Sequence, residues 1–141
     1  MKLNFFRFVA LVATLALLGS TAYPQSIHVR AQVPFDFAVG DRVYPAGEYT
    51  IQTQTNFNHL LYVGNRDTNE STMTRSYPTS SVKAERTELL FRRIGNAYFL
   101  SQVRVAESRI GREFPMSRLE IRMAQNGTNS ETTIVTANSI H

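Results

Sequence analysis

Histidine is the side chain in this 141-residue sequence that is best suited to general-base catalysis or metal binding near neutral pH. The three histidines, His28, His59 and His141, stand far apart, and none belongs to a His-x-His or His-Glu-x-x-His pattern. Serines are frequent, but no Gly-x-Ser-x-Gly sequence indicates a hydrolase nucleophile. We therefore expect no enzyme, no metal and no cofactor. A hydrolase site assembled from serine, histidine and an acid on different strands is the weaker alternative.

Arginines concentrate in the C-terminal half of the chain and are candidates for binding an anion or a partner. The guanidinium fork matches carboxylate and phosphate groups with two parallel hydrogen bonds. The four candidates for such a surface are Arg92, Arg104, Arg109 and Arg112. Acids alternate closely with the arginines, as in Gly111-Arg112-Glu113, so we favour a solvated network of ion pairs. The same interleaving argues against nucleic-acid binding.

Three tyrosines form a second group of candidate binding residues. Tyr44, Tyr62 and Tyr98 fall on predicted strands, where packing in the core is the default for an aromatic side chain. If they line the mouth of a β-barrel instead, they suit a small apolar ligand. Either interpretation requires strands to position these side chains.

From residue 27 onward the chain shows the period-two alternation of β-strands. Residues 27–39 alternate almost without interruption, and Pro34 marks an edge or a bulge within them. Ile94-Gly95-Asn96 is the turn of the clearest hairpin, between strands at 87–93 and 97–105. Shorter strands are predicted at 43–44, 48–54, 59–63, 71–77 and 132–137. The last of these is a short strand or a loose tail.

Residues 118–125 fit two structures. Ser117 and Glu120 have the spacing of a capping box, and Asn126-Gly127 suits the end of a helix. Leu119, Ile121 and Met123 also alternate with polar residues, as in a strand. We favour the helix because both of its end signals are present.

The whole pattern predicts a mainly β protein. Seven or eight short strands with frequent turns are typical of a single antiparallel β-barrel or sandwich, here with one short C-terminal helix. A hydrophobic share of 43% and a charged share of 18% are those of a globular chain. Cysteine is absent, which excludes disulfides and thiolate chemistry.

The first 22 residues have the features of a secretory signal peptide. Lys2 and Arg7 precede an uncharged apolar run from Phe8 to Leu18, and Ser20 and Ala22 are small enough for the positions before a cleavage site. The run is too short to span a membrane, which takes about 20 apolar residues. A twin arginine is absent, which favours the general secretory route. We expect residues 23–141 to form one β domain without a transmembrane segment, in the periplasm or outside the cell.

Two blocks of the sequence resemble those of a family of small secreted bacterial proteins. Residues 33–40 read VPFDFAVG and residues 44–51 read YPAGEYTI, where the family carries V-P-F-x-F-x-V-G and then L-P-A-G-x-Y. Residues 90–103 and 111–118 are similar to its central hairpin and following segment. Tyr44 replaces the commoner leucine. The resemblance implies an exported bacterial β protein. The family has no assigned activity, so the resemblance implies no function.

Together these features predict an exported, non-catalytic protein of the envelope or the extracellular space, with a binding or structural role. The candidate partners are an envelope polymer or, for a small barrel acting as a carrier, an apolar ligand. A secreted hydrolase is the third interpretation.

Cleavage after Ala22 is the first testable consequence, because Ser20 and Ala22 occupy the positions that require small side chains. N-terminal sequencing of the exported protein should begin at Tyr23. A mature chain that still begins at Met1 would contradict the export prediction.

Overall fold

The computed structural model describes residues 26–54, 56–80, 83–127 and 129–140. These ranges contain eleven strands and one helix. The strands are β1 (His28–Val33), β2 (Phe37–Val39), β3 (Arg42–Tyr44), β4 (Gly47–Gln54), β5 (Phe57–Asn65), β6 (Ser71–Arg75), β7 (Tyr77–Ser80), β8 (Glu88–Ile94), β9 (Ala97–Arg104), β10 (Ile110–Glu113) and β11 (Ser130–Ser139). The helix, α1, is Arg118–Gln125. The predicted signal peptide, residues 1–22, and its cleavage site lie outside the described residues.

The strands form one mixed sheet that is strongly curled. Its order is β3-β2-β9-β8-β11-β1-β4-β5-β6, and β10 pairs with both β9 and β7. The pair of β2 and β9 is parallel, and the other pairs are antiparallel. The rings of Phe37 on β2 and Tyr49 on β4 pack edge to face with centroids 4.7 Å apart, although four strands lie between them in the sheet. The sheet must therefore bend into a half-barrel to bring these rings together.

The mainly β fold with one short helix is confirmed, but the expected closed barrel or sandwich of seven or eight antiparallel strands is wrong. The sheet has eleven strands within the described ranges, and one of its pairs is parallel. Its two end strands, β3 and β6, do not pair with each other in this part of the chain, so the sheet stays open.

Three differences from the prediction explain the additional strands. Two predicted strands are each divided into two, and one further segment forms a strand of its own. Pro34 lacks an N–H, and the chain leaves β4 there, so that residues 37–39 pair with β9 and β3 instead. Ser76 separates β6 from β7: its N–H donates to the carbonyl of His59 (2.7 Å), and the chain then turns towards β10. The segment 106–115, in which no strand was predicted, contributes β10.

The main core fills the concave face of the sheet. Phe37 and Tyr49 are 2% and 1% exposed, and both belong to this core. Phe35 is half-buried and stacks on Tyr98 with ring centroids 3.9 Å apart, whereas Asp36 is exposed. The alternation around Pro34 thus predicts the orientations correctly, with Phe35 at the rim of the core and Phe37 inside it.

Helix α1 covers part of the other face, over Ala38, Ile94 and Phe99. It begins at the predicted capping box, which decides between the two interpretations of residues 118–125. The Ser117 hydroxyl accepts a hydrogen bond from the Glu120 N–H (3.1 Å), and the Glu120 carboxylate accepts one from the Ser117 N–H (3.3 Å). No helix in the described part of the chain is long and apolar enough to cross a membrane.

The C-terminal strand β11 lies in the middle of the sheet. Residues 130–136 pair with β8, and residues 137–139 pair with β1. Only Val135 and Ala137 of this strand are buried, because its other side chains point to solvent or lie at the surface. One face of an antiparallel strand can be exposed to solvent, so the strand needs few apolar residues. The hydrophobic pattern of the sequence therefore predicted only a short strand or a tail here.

Truncation of Phe37 to alanine should lower the free energy of unfolding by about 3–5 kcal/mol, because the ring is fully buried between Tyr49 and Phe91. Phe57, 54% exposed, offers the matched control, and Phe57→Ala should change stability by less than about 1 kcal/mol. Urea denaturation of both variants measures the difference. Equal losses would show that Phe37 is not in the core.

Candidate functional site

Two of the four arginines proposed as an anion surface, Arg92 and Arg104, are paired with acids. Arg92 forms an ion pair with buried Glu120, and its Nη2 donates to the Phe114 carbonyl (3.4 Å). Arg104 Nη1 lies 3.5 Å from Glu88 Oε1, and its Nε and Nη2 donate to the side-chain carbonyl of Gln102. These contacts agree with the favoured network of ion pairs and leave neither guanidinium directed at an open site.

The other two candidates do not converge with the first pair. Arg112 stands opposite Val103 on the neighbouring strand, so its side chain lies on the concave side of the sheet, whereas the adjacent Arg104 points to the other side. Desolvation by burial lowers the pKa of Arg112. Arg109 is exposed on the loop before β10. Anion binding by these four residues stays a prediction, but the fold does not gather them at one place.

The three candidate tyrosines also lie in different environments. Tyr44 is 2% exposed in the main core, and its hydroxyl has no hydrogen-bond partner among the described residues. Tyr98 is half-buried at the rim of the core, between Phe35 and the guanidinium of Arg93. Tyr62 is on the opposite, convex face, because its neighbours Leu61 and Val63 point into the core. The three rings do not line one cavity.

The Tyr62 side chain lies directly against a glycine on this convex face. A Cβ atom added to Gly64 would stand 2.6 Å from the Tyr62 ring carbon Cε1 and 2.6 Å from its hydroxyl oxygen. The ring therefore occupies the space that any other side chain at position 64 would fill. Gly64 is buried, whereas Tyr62 is half-buried and lines a surface groove together with Gly64.

This groove, called the polar groove below, has a volume of about 370 Å³. Its lining residues are Thr50, Tyr62, Gly64, Asn65, Arg66 and Asn69. They supply one aromatic surface together with hydroxyl, amide and guanidinium groups. Asn69 takes a left-handed backbone conformation (φ 58°), which turns the chain at the rim of the groove.

Charges beside the polar groove are balanced. Glu48 Oε1 lies 3.4 Å from Arg30 Nε and 3.6 Å from Arg66 Nη1, so one carboxylate holds two guanidinium groups. Asp67, next in sequence to Arg66, accepts a hydrogen bond from the Glu48 N–H (3.1 Å). Two acids thus stand close to two arginines, and this surface has no excess of positive charge.

A hydrogen-bonded corner fixes the floor of the polar groove. The Tyr49 hydroxyl donates to the Pro45 carbonyl (2.5 Å) and accepts from Asn65 Nδ2 (2.8 Å). The Asn65 side-chain carbonyl accepts from the N–H groups of Asp67 (2.7 Å) and Thr68 (3.0 Å). This corner joins the turn before β4 to the turn after β5, so the Pro-Ala-Gly-x-Tyr block has a structural role here.

Gly47 completes the corner through close packing. Its φ is positive (+159°), a backbone conformation that residues with a side chain rarely adopt. A Cβ atom would stand 2.8 Å from Asp67 Oδ2 and 3.2 Å from Asn65 Nδ2. Glycine is needed because the second turn lies directly against it.

A second, apolar groove of about 210 Å³ lies between the β2–β3 hairpin and α1. Its apolar lining includes Phe37, Ala38, Val43, Phe99 and Leu119. Ligand pockets for small molecules usually measure about 300–1,000 Å³. The apolar groove is thus small for the carrier function, and Tyr98 is the one of the three candidate tyrosines that lines it.

No family model, curated protein or solved structure matches this chain. Within the described ranges, no group of three or more histidine and carboxylate side chains is arranged to hold a metal ion.

Sequence reasoning found Tyr62 but not the groove around it. The predicted strand ended at residue 63, whereas β5 continues through Gly64 and Asn65. The spacing Tyr62-x-Gly64 was the signal in the sequence that could have indicated this arrangement. Residues two apart on a strand share a face, and a glycine leaves room for a neighbouring ring.

Stability should decrease at alkaline pH through Tyr49. Burial raises the pKa of its hydroxyl, so the folded state keeps its proton at a pH where the unfolded chain, with a pKa near 10.0, has lost it. The stabilisation by the neutral hydroxyl is fully present below pH 10. Above pH 10 the free energy of unfolding should fall by up to about 1.4 kcal/mol per pH unit, until the folded state also loses the proton.

Urea denaturation between about pH 8 and pH 11, a range centred near the ordinary tyrosine pKa, tests this linkage. The decrease above pH 10 should be smaller in Tyr49→Phe than in the wild type, while Tyr77→Phe, at an exposed site, should follow the wild type. Parallel curves for Tyr49→Phe and the wild type would refute the assignment.

Proposed function

We propose that this protein is an exported, non-catalytic β-domain protein that binds a polysaccharide of the cell envelope in its polar groove. The observation that carries the proposal is the half-buried Tyr62 ring, which lies against Gly64 and lines a polar surface groove. A flat aromatic ring offers an apolar face to the C–H groups of a sugar ring, while its hydroxyl stays available to water or ligand.

The remaining groups of the groove suit the hydroxyl groups of a sugar. Thr50 and Asn69 carry hydroxyl and amide groups that both donate and accept hydrogen bonds, whereas the buried Asn65 side chain holds the corner beneath them. Arg66 adds donors at the rim, and Glu48 holds it in place.

The charge balance favours a neutral polymer over a nucleic acid. A phosphate backbone is bound by an excess of Lys and Arg, with strong salt dependence. Beside this groove, Arg30 and Arg66 are matched by Glu48 and Asp67. Binding should therefore be insensitive to salt.

Polysaccharide binding is preferred to the carrier function for two reasons. The concave face of the sheet is filled by its own side chains, and the three tyrosines proposed for a ligand-lined mouth lie apart. Export by the general secretory route, to the periplasm or beyond, completes the proposal, because it brings the protein into contact with envelope polymers.

Titration calorimetry with soluble neutral and anionic polysaccharides tests the proposed function. Tyr62→Ala should weaken binding about tenfold, equivalent to about 1.4 kcal/mol, because the stacking surface is removed. Tyr62→Phe should bind like the wild type. Gly64→Ala should also weaken binding, because it displaces the ring without removing it.

Tyr77→Ala is the matched control, since Tyr77 is 55% exposed on another strand and should not affect binding. Incubation with the bound polymer should release no new reducing ends, as expected of a non-catalytic protein. Wild-type affinity in Tyr62→Ala, or no binding to any polymer of the panel, would refute the proposal.

A further inference from the structure

The sheet has three strands with one edge unpaired among the described residues: β3, β6 and β7. Such an edge presents backbone N–H and C=O groups that can pair with another strand unless it is short, charged or interrupted by proline. β3 has three residues and begins with Arg42, and β7 contains Pro78. β6 is the longest of the three, with five residues and neither proline nor lysine.

β6 is regular along its whole length. It pairs without a register shift from Leu60 opposite Arg75 to Gly64 opposite Ser71. Met73 at its centre is 59% exposed and lies opposite Tyr62, on the convex face. A regular, nearly uncharged edge with an exposed apolar residue at its centre is a template for strand addition.

We infer that two copies of this chain pair through β6, antiparallel and related by a two-fold axis. The register that pairs all five residues places Met73 opposite the Met73 of the second copy and Ser71 opposite Arg75. Such an arrangement is self-complementary, as a two-fold interface requires.

Charge complementarity supports this occupant. Glu70 precedes β6 and Arg75 ends it, and neither forms an ion pair with another described residue. Antiparallel pairing brings the Arg75 end of each strand beside the Glu70 end of the other. The opposite charges attract across the interface, whereas parallel pairing would place like charges together.

Pairing through β6 also aligns the two polar grooves, a consequence that rests on the proposed function. The row across the four strands reads Tyr62, Met73, Met73 and Tyr62, with all side chains on the convex face. The two Tyr62 strands are then three inter-strand spacings apart, or about 14 Å. One polymer could contact both rings, and each copy would raise the effective concentration for the other.

Sedimentation velocity without any polysaccharide tests the pairing itself. The wild type should dimerise within about 10 µM to about 1 mM, the range of weak associations. Met73→Lys should abolish the dimer, because two ammonium groups would stand directly opposite each other. Met116→Lys is the matched control, since Met116 is 41% exposed outside β6, and it should dimerise like the wild type.

Mixing Met73→Lys with Met73→Glu should restore a heterodimer, which a folding defect would not do. Because the chain has no cysteine, Met73→Cys provides an independent test of register: oxidation should form a covalent dimer much faster than in Met116→Cys.

A wild type that stays monomeric over this concentration range, or a mixture that does not associate, would overturn the inference. Polysaccharide binding is measured in a separate experiment, so a failure to bind polysaccharide would not contradict the dimer. Conversely, a monomer that still binds polymer through Tyr62 would refute only the pairing.

Discussion

Tyr49 connects the curvature of the sheet to the geometry of its surface. Its ring packs against Phe37 from the far side of the curled sheet, and its hydroxyl joins the Pro45 carbonyl to the Asn65 side chain. A buried hydroxyl must keep its partners, because an unsatisfied polar group in the core is costly. The position of Asn65, and with it the floor of the polar groove, therefore depends on the same residue that packs at the centre of the core.

Local signals in the sequence predicted local structure well. The capping box at Ser117 and Glu120 identified the helix, and the alternation around residues 94–96 identified the β8–β9 hairpin. Both are formed by residues close in sequence, so short patterns contain the necessary information. Short patterns do not identify the partner of each strand. Nothing near Phe37 in the sequence indicates that its ring packs against Tyr49 or that β2 runs parallel to β9.

The candidate site shows the same division. The sequence indicated Tyr62 as a binding residue, but the face on which the ring lies follows from the register of β5 against β4 and β6. The arginines illustrate the same point: the interleaved acids predicted ion pairing, but the partners of Arg92 and Arg104, Glu120 and Glu88, lie 28 and 16 residues away in sequence and are selected by the fold.

The central place of β11 has a consequence for the order of events in biosynthesis. Its residues 130–139 separate β8 from β1 in the sheet, so the two halves of the sheet cannot be joined before the last part of the chain has been made. Long-range strand pairing is slow, because the chain loses the entropy of closing a long loop before the new contacts stabilise the pair. Closure of a sheet with this topology therefore waits for residues 130–139, which follow all the other strands in sequence.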